Sequence, residues 1–487
     1  MTAAGREQRT RAADAACAAA YDATGCPGAE VALVAVGGYG RAELAPYSDL
    51  DLVLVHDAGT EPGEWAGRVW YPLWDGGFDV DHAVRSVEGM LEQARSDPRT
   101  ALGMLDVRHV AGDTNLTLRL RSAVLTAWRR EARSGLGDLR RTVQDRATLL
   151  GELAHAAVPD LKESLGGLRD ATVLKALVAS WLVDVPHAEL EGCRQALLDV
   201  RDAQHRVAGR ATDRVLPEYW SGIADELGVA DAAAAQRHVR GLGRRLTHLS
   251  RLTWRRVEEV TRPRSPTGPR RPRLERVAPG VAVSHGEVVL ERAGGPADPA
   301  LVVRAAAEAA ERGLVLAPTT AARLGRAAPL ASPWPAPLRR DFVRLLAAGP
   351  GMLAVWETLD ETGALQVLLP EWESVRLLPH ASAVHRFTVD RHLVETCIEA
   401  AGLVRGVSRP DVLVVASLLH DIGKGGPDEH SRAGEPIARR IAARMGFAPR
   451  EVGLVVTLVR RHLLLPETAT MRDLRDPATL RSVVSRV

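Results

Sequence analysis

Two groups of residues in this sequence have the types and the spacing for chemistry on phosphate. The first begins with Gly37-Gly38, at the end of the apolar run VALVAV, and continues with Asp49 and Asp51, two residues apart in DLDLVLVH. Alternate residues of a strand face the same way, so the two carboxylates converge on one spot while Leu50, Leu52 and Leu54 turn toward a core. Neighbouring carboxylates repel, and burying them is costly unless a cation neutralises them. Mg²⁺, a hard ion that prefers oxygen, suits such a pair and bridges it to nucleotide phosphates. The glycines let the backbone approach a triphosphate closely, with the amides of the turn as donors, and Ser48 joins Gly37 and Gly38 as a nucleotide-binding candidate. A third acid completes a two-ion site for phosphoryl-type transfer. In FDVDHAVRS we assign it to Asp79, flanked by apolar Phe78 and Val80, with Asp81 as the alternative.

The second group is made of imidazoles. His392 lies in TVDRHLVETCIEAAGLV, His420-Asp421 closes the apolar run VLVVASLLHD before Ile-Gly-Lys-Gly, and His430 and His462 follow. A single histidine on an apolar face is more often a core residue than a ligand. An adjacent His-Asp at the end of a buried helix is harder to explain that way. Imidazole with carboxylate suits Mn²⁺, Mg²⁺ or a transition metal, which can activate water against a phosphodiester. Lys424 is either a phosphate contact or a cation answering a helix end.

The elements that must carry these groups can be drawn from pattern. Residues 1–25 read as an Ala-rich helix, and from Val31 the order strand, turn and helix, strand, later strand marks an α/β unit extending to about residue 115. Residues 116–260 read as a helical domain. Within it KESLGGLRD, residues 162–170, carries Gly166-Gly167, expected to break or end a helix, and Lys162 and Arg169, read as solvated cations with phosphate contact as the alternative. Residues 261–275 are proline-rich and basic, and are assigned to a linker. A connecting region, 276–375, holds one strand candidate, GVAVSHGEVVLER, and residues 376–487 form a helical domain bearing the histidines. The fold class is therefore multidomain, α/β followed by all-α, as 487 residues also require.

Composition narrows the partners. A net charge of +2 offers no basis for a nucleic-acid or membrane partner. No apolar run reaches the length of a membrane span, and the N-terminus lacks the pattern of a signal peptide. Cys17, Cys26, Cys193 and Cys397 show no paired spacing, which fits a reducing cytoplasm. Lysine is almost absent among many arginines, read here as genome composition.

Glycine pairs and DxD motifs are common singly. Strand-GG-YGRAELAPYS-DLD-strand, in that order, resembles the nucleotidyltransferase superfamily, and VALVAVGGYGRAELAPYSDLDLVLV is similar to its branch of PII uridylyltransferases, including Tyr-Gly-Arg after the glycines and Tyr-Ser before the DxD. KESLGGLRD resembles a segment of the same family, with Leu165 where that family has proline. The histidine array, with HDIGKG, resembles HD-type phosphohydrolase domains. The resemblance implies a nucleotidyltransferase core, a helical-bundle domain and a helical HD domain. It also implies transfer of UMP from UTP, or AMP from ATP, to a tyrosine of the PII signalling protein, with the HD domain removing the modification. On that basis Asp49 and Asp51 bind Mg²⁺, Asp79 serves as third ligand or base, and His392, His420, Asp421, His430 and His462 hold the second metal. The family's final HD aspartate has no counterpart in the loop-like RDLRDPATL, and its paired ACT domains are missing. A C-terminally truncated chain is expected, with weak removal and no glutamine control. The competing readings are another HD-containing nucleotidyltransferase, such as a tRNA nucleotidyl-adding enzyme, and a non-catalytic regulatory module.

Overall fold

The computed structural model describes residues 3–262, 274–291, 298–327, 330–379, 387–426 and 428–486. The chain divides into two compact units, Met1–Arg262 and Pro263–Val487. Most of the expected linker lies outside the described residues. Helix ends at Thr261 and strand resumes at Glu275.

The first unit is built on a four-stranded sheet of order β3-β2-β1-β4, with β1 Val31–Ala35, β2 Leu50–His56, β3 Val80–Ser86 and β4 Arg108–Gly112. β1 runs antiparallel to β2 and β4, while β2 and β3 run parallel. Every residue of β1 is buried because helices cover both faces, which explains its unbroken apolar run. On one face Leu33, Leu50, Leu52 and Leu54 pack with Trp70, Leu73 and helix α1, Ala3–Ala23. On the other, Val34, Val53 and Val55 pack against Met90 of α2 (Val87–Ser96), Met104 of α3 (Pro98–Met104) and Leu116, Leu120 and Val124 of α4 (Thr114–Leu150). Asp113 caps α4 by accepting from the amides of Asn115 and Leu116.

Further along, α4 joins α5 (Leu168–Ala179), α6 (His187–Ala208) and α7 (Ala232–Thr261) around a separate apolar core that includes Leu136, Leu174, Leu177, Leu197, Trp220 and Leu246. Gly166-Gly167 does not end a helix, contrary to expectation. Gly167 is the N-cap of α5, and a Cβ on Gly166 would stand 2.3 Å from the Gly243 carbonyl, so the pair lets this loop press against α7.

In the second unit the single strand expected near residue 285 is a hairpin. Its strands, β6 Val281–Ser284 and β7 Glu287–Leu290, turn at His285-Gly286, both with positive φ, the geometry of a tight two-residue turn. β5 (Glu275–Ala278) and β8 (Val315–Leu316) complete a small sheet of order β5-β6-β7-β8. One apolar core runs from Val281 of this sheet through α8 (Pro299–Arg312), α9 (Ala336–Leu346) and α10 (Met352–Glu361). It continues into α11 (Val389–Ala401), α12 (Pro410–Leu419), α13 (His430–Arg444) and α14 (Pro449–Arg461). The connecting region and the histidine-bearing helices are thus packed as one body. Among the described residues no single helix is long and apolar enough to cross a membrane.

Candidate active sites

The end of β1 leads through Val36 into a single helical turn, Gly37–Gly40, whose first amides have no carbonyl four residues behind them within the turn. Gly37 has φ +56°, and a Cβ there would lie 2.8 Å from Asp51 Oδ2. Only glycine allows the turn to sit against that carboxylate. A Cβ on Gly38 would meet nothing within 4 Å, so this position faces open space. The Tyr-Gly-Arg that follows is scaffolding. The buried Tyr39 hydroxyl donates to Asp14 Oδ1 of α1 at 2.7 Å, Gly40 stands against the Asp106 carbonyl, and Arg41 bridges Glu43 at 2.7 Å and Asp106 at 2.9 Å.

Gly37, Gly38, Ser48, Asp49, Asp51 and Asp81 all line one cleft of about 400 Å³, a volume suited to a nucleotide. The Ser48 hydroxyl is buried without a hydrogen-bond partner, a donor and acceptor left for a ligand. Burial, with the carboxylates of Asp49 and Asp81 nearby, pushes Asp51 up to about 6, and Lys162 and Arg41 only partly oppose this. Such a cluster, all oxygen donors with one member driven toward protonation, fits a hard divalent cation.

The third acid lining the cleft is Asp81, where we expected Asp79. In the parallel β2–β3 pairing Asp51 stands opposite Asp81 and Leu50 opposite Val80. Asp79 precedes the strand by one residue, has an exposed side chain outside the cleft, and uses its carbonyl to accept the Leu50 amide at 2.8 Å. Two residues of strand amount to about 7 Å, enough to remove Asp79 from the cluster while keeping it on the same face.

The opposite wall was not foreseen as such. Lys162, Arg169, Arg194 and Arg201 line the cleft from the helical segments, facing Arg41 and Arg85 from the sheet side. Arg194 is paired with Glu43 and Glu191, Arg201 with Asp213, and Arg169 with Glu163. Lys162 and Arg169 were at least visible as cations beside a glycine pair. Arg194 and Arg201 carried no signal, being ordinary residues of a long helix.

In the second unit the five expected residues meet around Asp421. His392 Nε2 and His420 Nε2 are 3.1 Å apart, and they lie 3.7 and 3.4 Å from Asp421 Oδ2. His430 Nε2 and His462 Nε2 each lie 3.5 Å from Oδ1. Two groups of ligand atoms, His392-His420-Asp421 and Asp421-His430-His462, therefore share one carboxylate. His420 Nδ1 donates to the Ser417 carbonyl and His462 Nδ1 to that of Val459, both at 2.8 Å, so each ring turns Nε2 to the cluster, where in its neutral form the lone pair is open to a ligand. Burial lowers the basicity of His462, which favours that neutral form. Asp421 is buried, yet His420 and Lys424, whose ammonium is 2.7 Å from Oδ2, overcome burial and hold its carboxyl well below the usual range. Its Oδ1 has no hydrogen-bond partner. This imidazole and carboxylate donor set, with a buried oxygen left unsatisfied, fits Mn²⁺, Mg²⁺ or a related divalent ion.

Local sequence explains the convergence. His392 sits on α11, His420 closes α12, His430 opens α13 behind its Glu429 cap, and His462 closes α14. A Cβ on Gly423 would lie 2.3 Å from both the Gly434 amide and the His430 carbonyl. The glycine of His-Asp-Ile-Gly thus lets α13 approach closely enough to bring His430 to Asp421. Asp473 and Asp476 stand apart from this cluster, Asp473 beside Arg475 and Asp476 capping the helix Pro477–Val484.

The GlnD PII-uridylyltransferase family matches residues 138–255, and the HD domain family matches residues 389–485. Over 474 residues, 94% of this chain and 57% of the relative, the sequence is 50% identical to the bifunctional uridylyltransferase/uridylyl-removing enzyme of Streptomyces coelicolor. The chain is a homologue of these bifunctional enzymes. It is 42% identical to the Mycobacterium tuberculosis enzyme over 467 residues, 93% of this chain and 58% of the relative. Against the Corynebacterium glutamicum enzyme the identity is 35% over 453 residues, 91% and 64% respectively. The chain spans a little over half the length of the relatives from Streptomyces and Mycobacterium. In this homologue the carboxylate cleft lies partly outside the segment matched by the first family, whereas all five residues of the histidine cluster lie within the HD match.

Proposed function

We propose that the first unit transfers a nucleoside monophosphate, UMP from UTP or AMP from ATP, to a tyrosine of the PII signalling protein, and that the second hydrolyses the resulting phosphodiester. The observation that carries the first half is the lining of one cleft by Asp49, Asp51 and Asp81 together with the Gly37-Gly38 turn. The tyrosine oxygen forms its bond to the α-phosphorus, the bond from that phosphorus to the bridging oxygen breaks, and pyrophosphate leaves with the electron pair. Asp81 takes the phenolic proton, Asp49 and Asp51 would hold Mg²⁺, and the open side of Gly38 admits the phosphates. In the removal reaction water attacks the phosphorus, the bond from phosphorus to the tyrosine oxygen breaks, and the phenol and the nucleoside monophosphate are released; His392, His420, Asp421, His430 and His462 would hold Mn²⁺ or Mg²⁺, and Lys424 would offset phosphate charge. At both sites the bound ion would supply Lewis acidity toward a phosphoryl oxygen.

Three of the four cysteines are buried, and their reduced thiols fit a cytoplasmic setting. The test is incubation of the full chain with PII, Mg²⁺ and α-labelled UTP or ATP, beside the double variant Asp49→Ala, Asp51→Ala. Metal-dependent labelling of PII by the wild type alone is expected, and its absence would overturn the transfer reading. Purified modified PII should lose its label to the wild type and keep it with His420→Ala. Equal loss with both would overturn the hydrolytic one.

A further inference from the structure

KESLGGLRD has no role in the sites as described so far, although its lysine and its arginine both line the carboxylate cleft. Its backbone is held at every step. Leu161 N donates to the Asp213 carbonyl at 2.8 Å, and the amides of Lys162 and Glu163 donate to Asp160 Oδ1 at 3.0 and 2.7 Å. Leu168 N and Arg169 N return to the carbonyls of Leu161 and Lys162, both at 2.9 Å, and Gly166 N donates to the buried Asp170 at 2.5 Å. A Cβ on Gly167 would stand within 3.0 Å of the carbonyls of Leu161, Ser164 and Lys162, so the loop closes tightly around the lysine's own peptide. Such a rigid pedestal is an expensive way to present a solvated surface charge.

The cations of the cleft are not equivalent. Arg41, Arg85, Arg169, Arg194 and Arg201 each have an acid or amide partner: Glu43, Gln93, Glu163, Glu191 and Asp213 respectively. Among the described residues the Lys162 ammonium has neither a hydrogen bond nor an ion pair, while its charge is felt at Asp51. Lys162, Lys175 and Lys424 are the only lysines in the sequence, and two of the three stand at the two candidate sites. A chain that uses arginine almost everywhere keeps, at these places, the compact point charge on a flexible stem. Paired arginines shape the wall, and the unpaired lysine is free to meet a ligand.

We propose that Lys162 is a catalytic residue of the transfer site, a cation that binds the β- and γ-phosphoryl oxygens of the nucleotide and takes up the charge that builds on pyrophosphate as it leaves. This rests on the transferase reading of the same cleft. Asp49 and Asp51 would hold a metal that supplies Lewis acidity, and Lys162 serves the leaving group. Arg169, held by Glu163 at 2.6 Å, braces the pedestal instead of competing for phosphate.

The test uses the full chain as wild type, Lys162→Ala, Lys162→Gln and, as control, Lys175→Ala. Binding of Mg²⁺-pyrophosphate and of UMP is measured by calorimetry, a readout that needs no acceptor protein, and label transfer to PII is followed under single-turnover conditions. Either substitution of Lys162 should weaken pyrophosphate binding at least about 10-fold, leave UMP binding within about 2-fold, and slow transfer roughly 10²–10³-fold at saturating nucleotide. Lys175→Ala should match the wild type. Unchanged pyrophosphate affinity in folded Lys162→Gln, or equal loss of UMP and pyrophosphate, would overturn the proposal. A wild type that binds Mg²⁺-pyrophosphate through Lys162 and yet labels no PII would leave the phosphate contact standing and overturn the transferase reading, and with it the catalytic role.

Discussion

Replacing Gly37 by alanine separates the two demands placed on the glycine turn. The residue has φ +56°, and its new Cβ would begin 2.8 Å from Asp51 Oδ2. A left-handed backbone costs a residue with a side chain about 1–2 kcal/mol, which for a cooperative unit of this size corresponds to a fall in Tm of roughly 2–8 °C. The steric clash adds to this. Ordinary contact requires the Asp51 carboxylate to retreat by several tenths of an ångström, and misplacement approaching 1 Å at a reacting centre costs on the order of 10²-fold in rate. Gly37→Ala should therefore both lower Tm, read by scanning calorimetry, and slow label transfer to PII about 10²-fold. Gly38→Ala is the matched control, because its Cβ meets no protein atom within 4 Å. It should melt within about 1 °C of the wild type but raise KM for the nucleotide, since the methyl group points into the space a ligand needs. A Gly37→Ala protein with wild-type Tm and rate, or a Gly38→Ala protein less stable than Gly37→Ala, would refute this account of the turn.

Three further outcomes follow from the geometry. Burial and neighbouring carboxylates raise Asp51 from 3.8 to about 6, so the folded protein binds this proton more tightly than the unfolded chain. The associated stability is present at low pH and is lost as pH rises from about 4 to about 6. The difference in Tm between wild type and Asp51→Asn without Mg²⁺ should track that window, and saturating Mg²⁺ should remove the penalty above it; a pH-independent difference would contradict the assignment. His420→Ala should lose at least about 10-fold in Mn²⁺ affinity by calorimetry, and full occupancy in that variant would exclude His420 as a ligand. Gly423→Ala, whose Cβ would start 2.3 Å from the backbone of Gly434 and His430, should also lose metal by forcing α13 away from Asp421; retention of wild-type Mn²⁺ affinity would show that this approach is dispensable.

Much of both sites was legible because their chemistry is concentrated in short segments. Gly37-Gly38 and Asp49-x-Asp51 lie at the ends of two strands whose apolar runs are unmistakable, and His420-Asp421 closes a helix with no other polar residue in its last turn but Ser417. What was missed depends on pairing between distant segments. Choosing Asp81 over Asp79 needs the β2–β3 register, which is set by the whole parallel pair and not by the flanking Phe78 and Val80 that favoured Asp79. Arg194 and Arg201 reach the cleft only because α6 packs beside the sheet of the same unit. Gly166-Gly167 was read for its local effect on a helix, whereas its cause is the approach of Gly243, 77 residues along the chain. The second sheet escaped because β5 and β8 are 4 and 2 residues long, too short to show alternation.

The most direct measurement is single-turnover transfer of an α-phosphoryl label from UTP or ATP to PII by the wild type, Asp81→Asn and Asp79→Asn. The account predicts labelling by the wild type, a loss of about 10²-fold or more in Asp81→Asn, and a rate within about 2-fold of wild type in Asp79→Asn. Loss of labelling in Asp79→Asn with Asp81→Asn unaffected would contradict the site drawn from the β2–β3 register, and no labelling by the wild type would contradict the transfer itself.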